Sequence, residues 1–332
     1  MSDATLPLVS VVLPTCRRPA LLQRCLNALM AQCFAFGRYE IVVVDDGPDA
    51  ATRELVQALA AQDAFGRLRY LRPAHGRGPA VARNAGWRAA RAPLVAFTDD
   101  DTVPDAYWLA EGWRAMRANP AWVAASGAVQ VPPAKARGRR PTDHELMTQA
   151  LERCEFVTAN AFVRRDALEA LGGFDERFTR PWREDSDLQF RLLARGPVGH
   201  ASLACVQHPV RPERWGVSLR QQRNSFFDAL LYKKHPRLYR QRIRRVPPWD
   251  YYLMVALALS ALPLGLLAGG RAALAALAGA LALGVALALR RLRHTDRSPA
   301  HVAEMLLTSM LIPFLSVYWR LLGALRFRVL FL

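Results

Sequence analysis

The sequence predicts an α/β fold: an open, mostly parallel sheet with helices on both faces, followed by helices of membrane character. Three observations carry this. Short β-branched runs alternate with segments of helical spacing through the first two thirds of the 332 residues. Two of those runs end in acidic clusters, Asp45-Asp46 and Asp99 to Asp101. Two long stretches near the C-terminus carry no charge at all.

The elements follow in order. Residues 8–13 are a β-rich run ended by Pro14, and residues 20–32 have helical spacing. A second buried strand over 39–44 ends in Asp45-Asp46-Gly47; a helix over 50–62 and a third strand over 68–71 come next. Pro79 stands at a first helical position after Gly76 and Gly78. The helix over 80–91 places Val81, Ala85 and Ala89 on one face, and Pro93 stops it. Residues 94–97 form an apolar run of the kind that fills the middle of a parallel sheet. Asp99, Asp100 and Asp101 follow at its carboxyl end, where open α/β sheets bind ligands.

Three adjacent carboxylates repel one another. In an extended loop Asp99 and Asp101 point the same way and can share a hard divalent ion. The competing reading is a solvated acidic turn that caps the next helix through Thr102 or Asp105. Asp45, Asp46 and Arg83 converge on the same crevice, where carboxylates can accept from a nucleobase or ribose and an arginine can pair with phosphate. A nicotinamide-binding turn is excluded, because the segment after the first strand reads TCRRPA and has no glycine.

The net charge is +17. Such a balance points to phosphate-bearing substrates, an anionic membrane or nucleic acid. Five cysteines, Cys16, Cys25, Cys33, Cys154 and Cys205, show no metal-ligand spacing and read as free thiols of a reducing compartment. The first ten residues show no signal peptide.

Four segments in this order, VSVVLPTCRRP, IVVVDDGPD, GPAVARNAG and LVAFTDDDTVP, resemble the inverting family 2 glycosyltransferases with the GT-A (Rossmann-like) fold. GGFDERFTRPWREDSDLQFRLLARG, residues 172–196, is similar to the acceptor side and ED motif of that family, so the resemblance covers roughly residues 8–239. It implies that Pro14, Thr15, Asp46 and Arg83 contact the nucleotide, with Asp45 and Asp100 in the same pocket. It implies further that Asp99 and Asp101 hold a metal–diphosphate (Mg²⁺ or Mn²⁺), and that Asp185 is the general base with Glu184 as its neighbour. His208 resembles a position near the metal.

The chemistry agrees with that resemblance. Inverting transfer from a nucleotide diphosphate needs positive charge on the leaving group and one base for the acceptor hydroxyl. Glu184, Asp185 and Asp187 precede a helix expected over 188–195, so Asp187 as a cap is the competing reading. Asn160, on a strand leading to the acceptor region, and Trp182, which could stack on a sugar, are the acceptor candidates. Residues 135–140 (KARGRR) form a basic loop.

We expect a catalytic domain over 1–218, a basic amphipathic membrane-surface segment over 219–250, and transmembrane and interfacial helices over 251–332. Residues 251–269 and 272–289 lack charge, approach the ~20 residues needed to cross a bilayer, and are separated by Gly270-Arg271, which reads as a hairpin. Arginines flank it on one side, which by the positive-inside rule places the catalytic domain in the cytoplasm, at the inner membrane. A third stretch over 302–319, broken by Pro313, reads as an interfacial or re-entrant helix, because crossing would leave Arg320, Arg326 and Arg328 outside. The expected partners are a nucleotide-diphosphate sugar, a lipid or lipid-linked acceptor and the membrane, not nucleic acid. A nucleotidyltransferase and a catalytically silent scaffold are the alternatives. No Q-x-x-R-W motif of processive synthesis is present.

Overall fold

The computed structural model describes residues 6–35, 37–75, 78–133 and 140–331. Gly76 and most of the basic 135–140 loop fall outside the described residues. The chain divides into two compact units, one of residues 1–132 and 149–209, the other of 133–148 and 210–332. The division therefore falls after Pro209, ahead of the boundary expected at 218.

The first unit is built on strands β1 (Val9–Thr15), β2 (Tyr39–Asp45), β3 (Leu68–Leu71), β4 (Leu94–Thr98), β5 (Val103–Pro104), β6 (Ala124–Gln130), β7 (Asn160–Arg164) and β8 (Val198–Gln207). They form one sheet in the order β3-β2-β1-β4-β7-β6-β8-β5. Pairing is parallel from β3 to β4, and β7 runs antiparallel to both of its neighbours. The sheet is thus mixed, and the parallel half is the one read from sequence. Strand order reverses between β1 and β4, each crossing over to the other side of the sheet. A crevice opens at the carboxyl ends there.

β1 continues through Pro14 to Thr15, beyond the expected stop. Pro14 is tolerated because β4 pairs only as far as Val12, so no ladder bond on that side needs its missing N–H. Helices α1 (Pro19–Met30), α2 (Ala50–Gln62), α3 (Pro79–Ala89) and α4 (Trp108–Ala118) alternate with the strands. The core gathers Val12, Val42, Val44, Phe97, Trp87 and Phe174, with Phe97 and Phe174 edge-to-face at 5.3 Å.

Asn160 departs from its expected acceptor role. Its side chain is fully buried, donates to the carbonyls of Ala128 and Ala204 at 2.8 Å each, and accepts from Trp108 Nε1 at 2.8 Å. Every polar atom is committed inside the sheet. Gly127 faces it because a Cβ there would run into the amide.

The second unit begins with α5 (Asp143–Gln149), whose last residue belongs to the first unit; α6 (Arg165–Leu171) and α7 (Glu184–Leu193) complete the first. The second continues with α8 (Val217–Gln221), α9 (Ser225–Lys234), α10 (Pro236–Leu238), α11 (Trp249–Ala268), α12 (Gly270–Leu292) and α13 (Pro299–Phe327). The expected hairpin is α11 and α12, joined at Gly269 with φ +87°. The third stretch is one 29-residue helix through Pro313, so among the described residues three helices are long and apolar enough to cross a membrane. The expected surface segment is not a single helix. Phe227, Leu230, Leu231 and Tyr239 are buried within the unit, where α9 packs on α13, rather than exposed.

Candidate active site

The site grows from three strand ends and one helix start. Thr15 closes β1 and donates through its hydroxyl to Asp100 Oδ2 at 2.7 Å. Asp45 closes β2, is fully buried, and accepts from the Gly47 amide at 3.2 Å and the Tyr70 hydroxyl at 2.8 Å. Its carboxylate shapes the loop. Asp46 stands half-buried, and both its oxygens accept from the Gly78 amide at 2.9 Å.

After β4 the chain turns at once, with the Thr102 amide donating to the Asp99 carbonyl at 3.1 Å. The three aspartates consequently do not alternate as in an extended loop. Asp99 faces Arg83, Asp100 faces Thr15 and Arg18, and Asp101 faces His208 with Nε2–Oδ1 at 3.5 Å. The capping alternative fails, since α4 starts at Trp108 and has no side-chain cap.

Arg83 links the two acidic clusters. It is 3% exposed, and its guanidinium donates to Asp99 Oδ1 at 2.8 Å and to Glu184 Oε1 at 3.0 Å. α7 begins at Glu184 rather than after it, so Glu184 and Asp185 occupy the first turn, where the helix dipole favours negative charge. Asp187 is not a cap; it pairs with Arg191 at 2.9 Å. The residue before the helix, Arg183, has φ +74°, an uncommon conformation for a side-chain-bearing residue. Its guanidinium lies 4.6 Å from the centre of the Trp182 ring and already covers one face of that indole.

One guanidinium cannot neutralise three acids in a buried site. Burial alone would raise the Asp99 pKa, but the charge and hydrogen bond of Arg83 outweigh it and hold the carboxyl below its usual range. Burial, then the Asp185 charge, push Glu184 up to about 8 despite Arg83. Asp185 is also raised, first by burial. Burial pushes Asp100 up to about 6, against the pull of Arg18 and Thr15. Among the described residues Glu184 Oε2 has no hydrogen-bond partner.

Arg18 was not singled out in the sequence. It reaches Asp100 at 3.1 Å and Asp101 at 4.0 Å from the N-cap of α1. The signal was the TCRRP turn directly after a buried strand, at the crevice. No pattern in the sequence marks Asn84, next to Arg83 on α3. It holds the 172–176 loop through the Phe174 amide and carbonyl and the Glu176 carboxylate. Gly173 (φ +77°) lets that loop approach, since a Cβ there would strike Asn84 and Trp87.

For a metal, Asp101 and His208 stand side by side with Asp99 in the same turn, and His208 Nδ1 has no partner. A carboxylate–imidazole pair is a donor set compatible with a divalent ion such as Mn²⁺. Among the described residues no three His, Cys, Asp or Glu side chains are close enough to hold an ion unaided. Further ligands would have to come from substrate or water.

A model of the family described as Glycosyl transferase family 2 matches residues 10–172, and one described as Glycosyl transferase family group 2 matches 94–319. Glycosyltransferase AglE of Haloferax volcanii is 28% identical over 228 residues, 66% of this chain and 72% of that protein. Validoxylamine A glucosyltransferase of Streptomyces hygroscopicus subsp. jinggangensis is 30% identical over 251 residues, 65% of this chain but 56% of its own length. The solved structure of mannosyltransferase PcManGT from Pyrobaculum calidifontis, in complex with GDP-Man and Mn²⁺, superposes with a TM-score of 0.60 at 22% identity. That match covers 96% of this chain and 88% of the other, a likeness of fold.

Proposed function

This chain belongs to glycosyl transferase family 2, and from that premise we propose that it transfers a sugar, with inversion, from a nucleotide-diphosphate donor to a membrane-associated acceptor. The observation that carries the reading is the Arg83 bridge from Asp99 to Glu184, which ties donor-side and acceptor-side acids to one crevice at the β1/β4 switch point. The family assignment favours sugar transfer over the nucleotidyltransferase and silent-scaffold readings.

Asp185 accepts the proton of the acceptor hydroxyl as its oxygen attacks the sugar's anomeric carbon. The new C–O bond forms as the bond to the diphosphate breaks on the opposite face. Its raised pKa makes it a stronger base than a free carboxylate. Glu184 stays beside it on Arg83, and Arg18 adds positive charge where the diphosphate would lie. Mg²⁺ or Mn²⁺, held by Asp101 and His208 with Asp99 adjacent, would supply further charge to the leaving group. Thr15, Asp46 and the end of β1 at Pro14 line the nucleotide side; Trp182 remains the acceptor-side aromatic.

The membrane reading is that α11 and α12 span while α13 lies at the interface. Along α13, Glu304 accepts from the Gly216 amide, Thr308 and Ser309 accept from Arg291, Arg320 pairs with Asp228, and the Phe327 carbonyl accepts from Lys233. Those anchors extend over ~35 Å at 1.5 Å per residue. All their partners flank the hairpin on one side. Leu307, Leu311, Tyr318, Leu321 and Leu325 form the exposed apolar face. With arginine dense on that side, the catalytic unit faces the cytoplasm.

The test supplies a panel of nucleotide sugars, each with Mn²⁺ or Mg²⁺, to the protein in membranes. Release of nucleoside diphosphate with label entering the lipid phase supports the reading. Pyrophosphate release would point to nucleotidyl transfer, and label confined to water would remove the lipid acceptor. A tag at the C-terminus accessible on the same side as the catalytic unit would count for two crossings; accessibility on the other side, for three.

A further inference from the structure

The second unit contains a cavity of about 480 Å³ between α5, the segment 210–218 and the first turns of α13. Small-molecule sites typically run from about 300 to 1,000 Å³. All its lining residues belong to that unit, and none is used by the transfer chemistry above.

Its wall carries polar atoms that the protein leaves unmatched. The Ser218 hydroxyl is in a residue 8% exposed, and His301 Nε2 in one 6% exposed; among the described residues neither has a hydrogen-bond partner. Both ring nitrogens of His144 are in the same condition. A buried group left unpaired forfeits its hydration with no return, so several on one cavity ask for a ligand or ordered water. Beside them the Trp215 indole is 54% exposed, an aromatic surface open at the cavity.

The charged groups roughly balance and do not single out an anion. The lining holds four carboxylates against two arginines, in a chain of +17. The carboxylates are already engaged: Asp143 by Arg291 at 2.8 Å, Glu213 by Arg220, Glu145 by the Thr142 amide, and Glu304 by the Gly216 amide at 2.7 Å. Beside Arg211 and Arg214, what remains is neutral hydrogen-bonding capacity with both donors and acceptors, next to an aromatic face. We propose that this cavity binds a neutral, hydroxyl-rich ring, a sugar, with Trp215 as stacking surface and Ser218, His301 and His144 as hydroxyl partners. The ring can arrive as a glycolipid headgroup in the leaflet or as a free glycan.

The full-length protein in phosphatidylcholine nanodiscs is probed by saturation-transfer NMR, one arm with methyl β-D-glucopyranoside in water, the other with a glucosyl diacylglycerol in the disc. Saturation of ring protons is expected in at least one arm, and the responding arm names the source. Trp215→Ala is expected to weaken binding about tenfold, and Ser218→Ala about fivefold, the scale of one neutral hydrogen bond. Trp215 is exposed, so its removal leaves the fold intact. Asp185→Asn should leave the signal unchanged, which separates this site from the catalytic one. No transfer in either arm, transfer insensitive to both cavity substitutions, or displacement of the sugar by inorganic phosphate would each overturn the proposal.

Discussion

The acids at the end of β4 and those at the start of α7 are the same chemical groups on either side of one guanidinium, and they behave differently. Asp99 is held ionised by its bond to Arg83, as a group facing a cation-bound diphosphate should be. Glu184 touches the same arginine, yet burial and its neighbour Asp185 raise it to about 8. The lesson is one of allocation. Arg83 neutralises Asp99 on the donor side, and the acceptor side is left proton-hungry, which suits a base.

The largest test of that asymmetry is Asp185→Asn. Loss of the base is expected to lower kcat about 10²- to 10⁴-fold while donor KM holds, read as nucleoside diphosphate release at saturating donor. An equal loss from Glu184→Gln, with Asp185→Asn near wild type, would reverse the roles. Next comes Arg83→Met, which leaves a buried Glu184 and a half-buried Asp99 without their counter-charge. A destabilisation of about 3–5 kcal/mol is expected, measured as a shift of the urea transition in detergent. A smaller effect is expected where the acceptor loop meets α3. Gly173→Ala forces a Cβ against Asn84 and Trp87 at positive φ and should cost about 1–3 kcal/mol by the same measurement.

The finest test is a slope. Glu184 binds its proton more tightly folded (about 8) than in its ordinary state (4.5). Its contribution is therefore full below about pH 4.5 and lost as pH rises through about 8, so stability falls across that window. Glu184→Gln should flatten the decline of melting temperature over the same range. An unchanged slope would mean that Arg83 neutralises Glu184 after all.

Much of the parallel half was legible because β1, β2 and β4 are bounded apolar runs ending in proline, glycine or aspartate. The antiparallel half was harder. β6 reads AASGAVQ, a run of small residues whose reason is the Asn160 amide lying against it. Nothing local in the sequence announces that partner. At the site, the acidic clusters were readable by type and place, but their facing was not. A tight turn at Asp99–Thr102 sends three neighbouring side chains to three partners, and Arg18 joins them through a contact 82 residues away in sequence. α7 starts four residues ahead of the expected 188 because an arginine at positive φ stands in place of a capping side chain.

Asn160 has a consequence for assembly. β7 pairs with β4 through Thr98↔Asn160, and the same side chain reaches into β6 and β8. In a sheet a slip of one residue sends every side chain to the opposite face. An amide that must meet two carbonyls and an indole at once accepts a single alignment. It works as an indexing pin for the half of the sheet without strong hydrophobic patterning, and the aspartates begin one residue past its partner on β4.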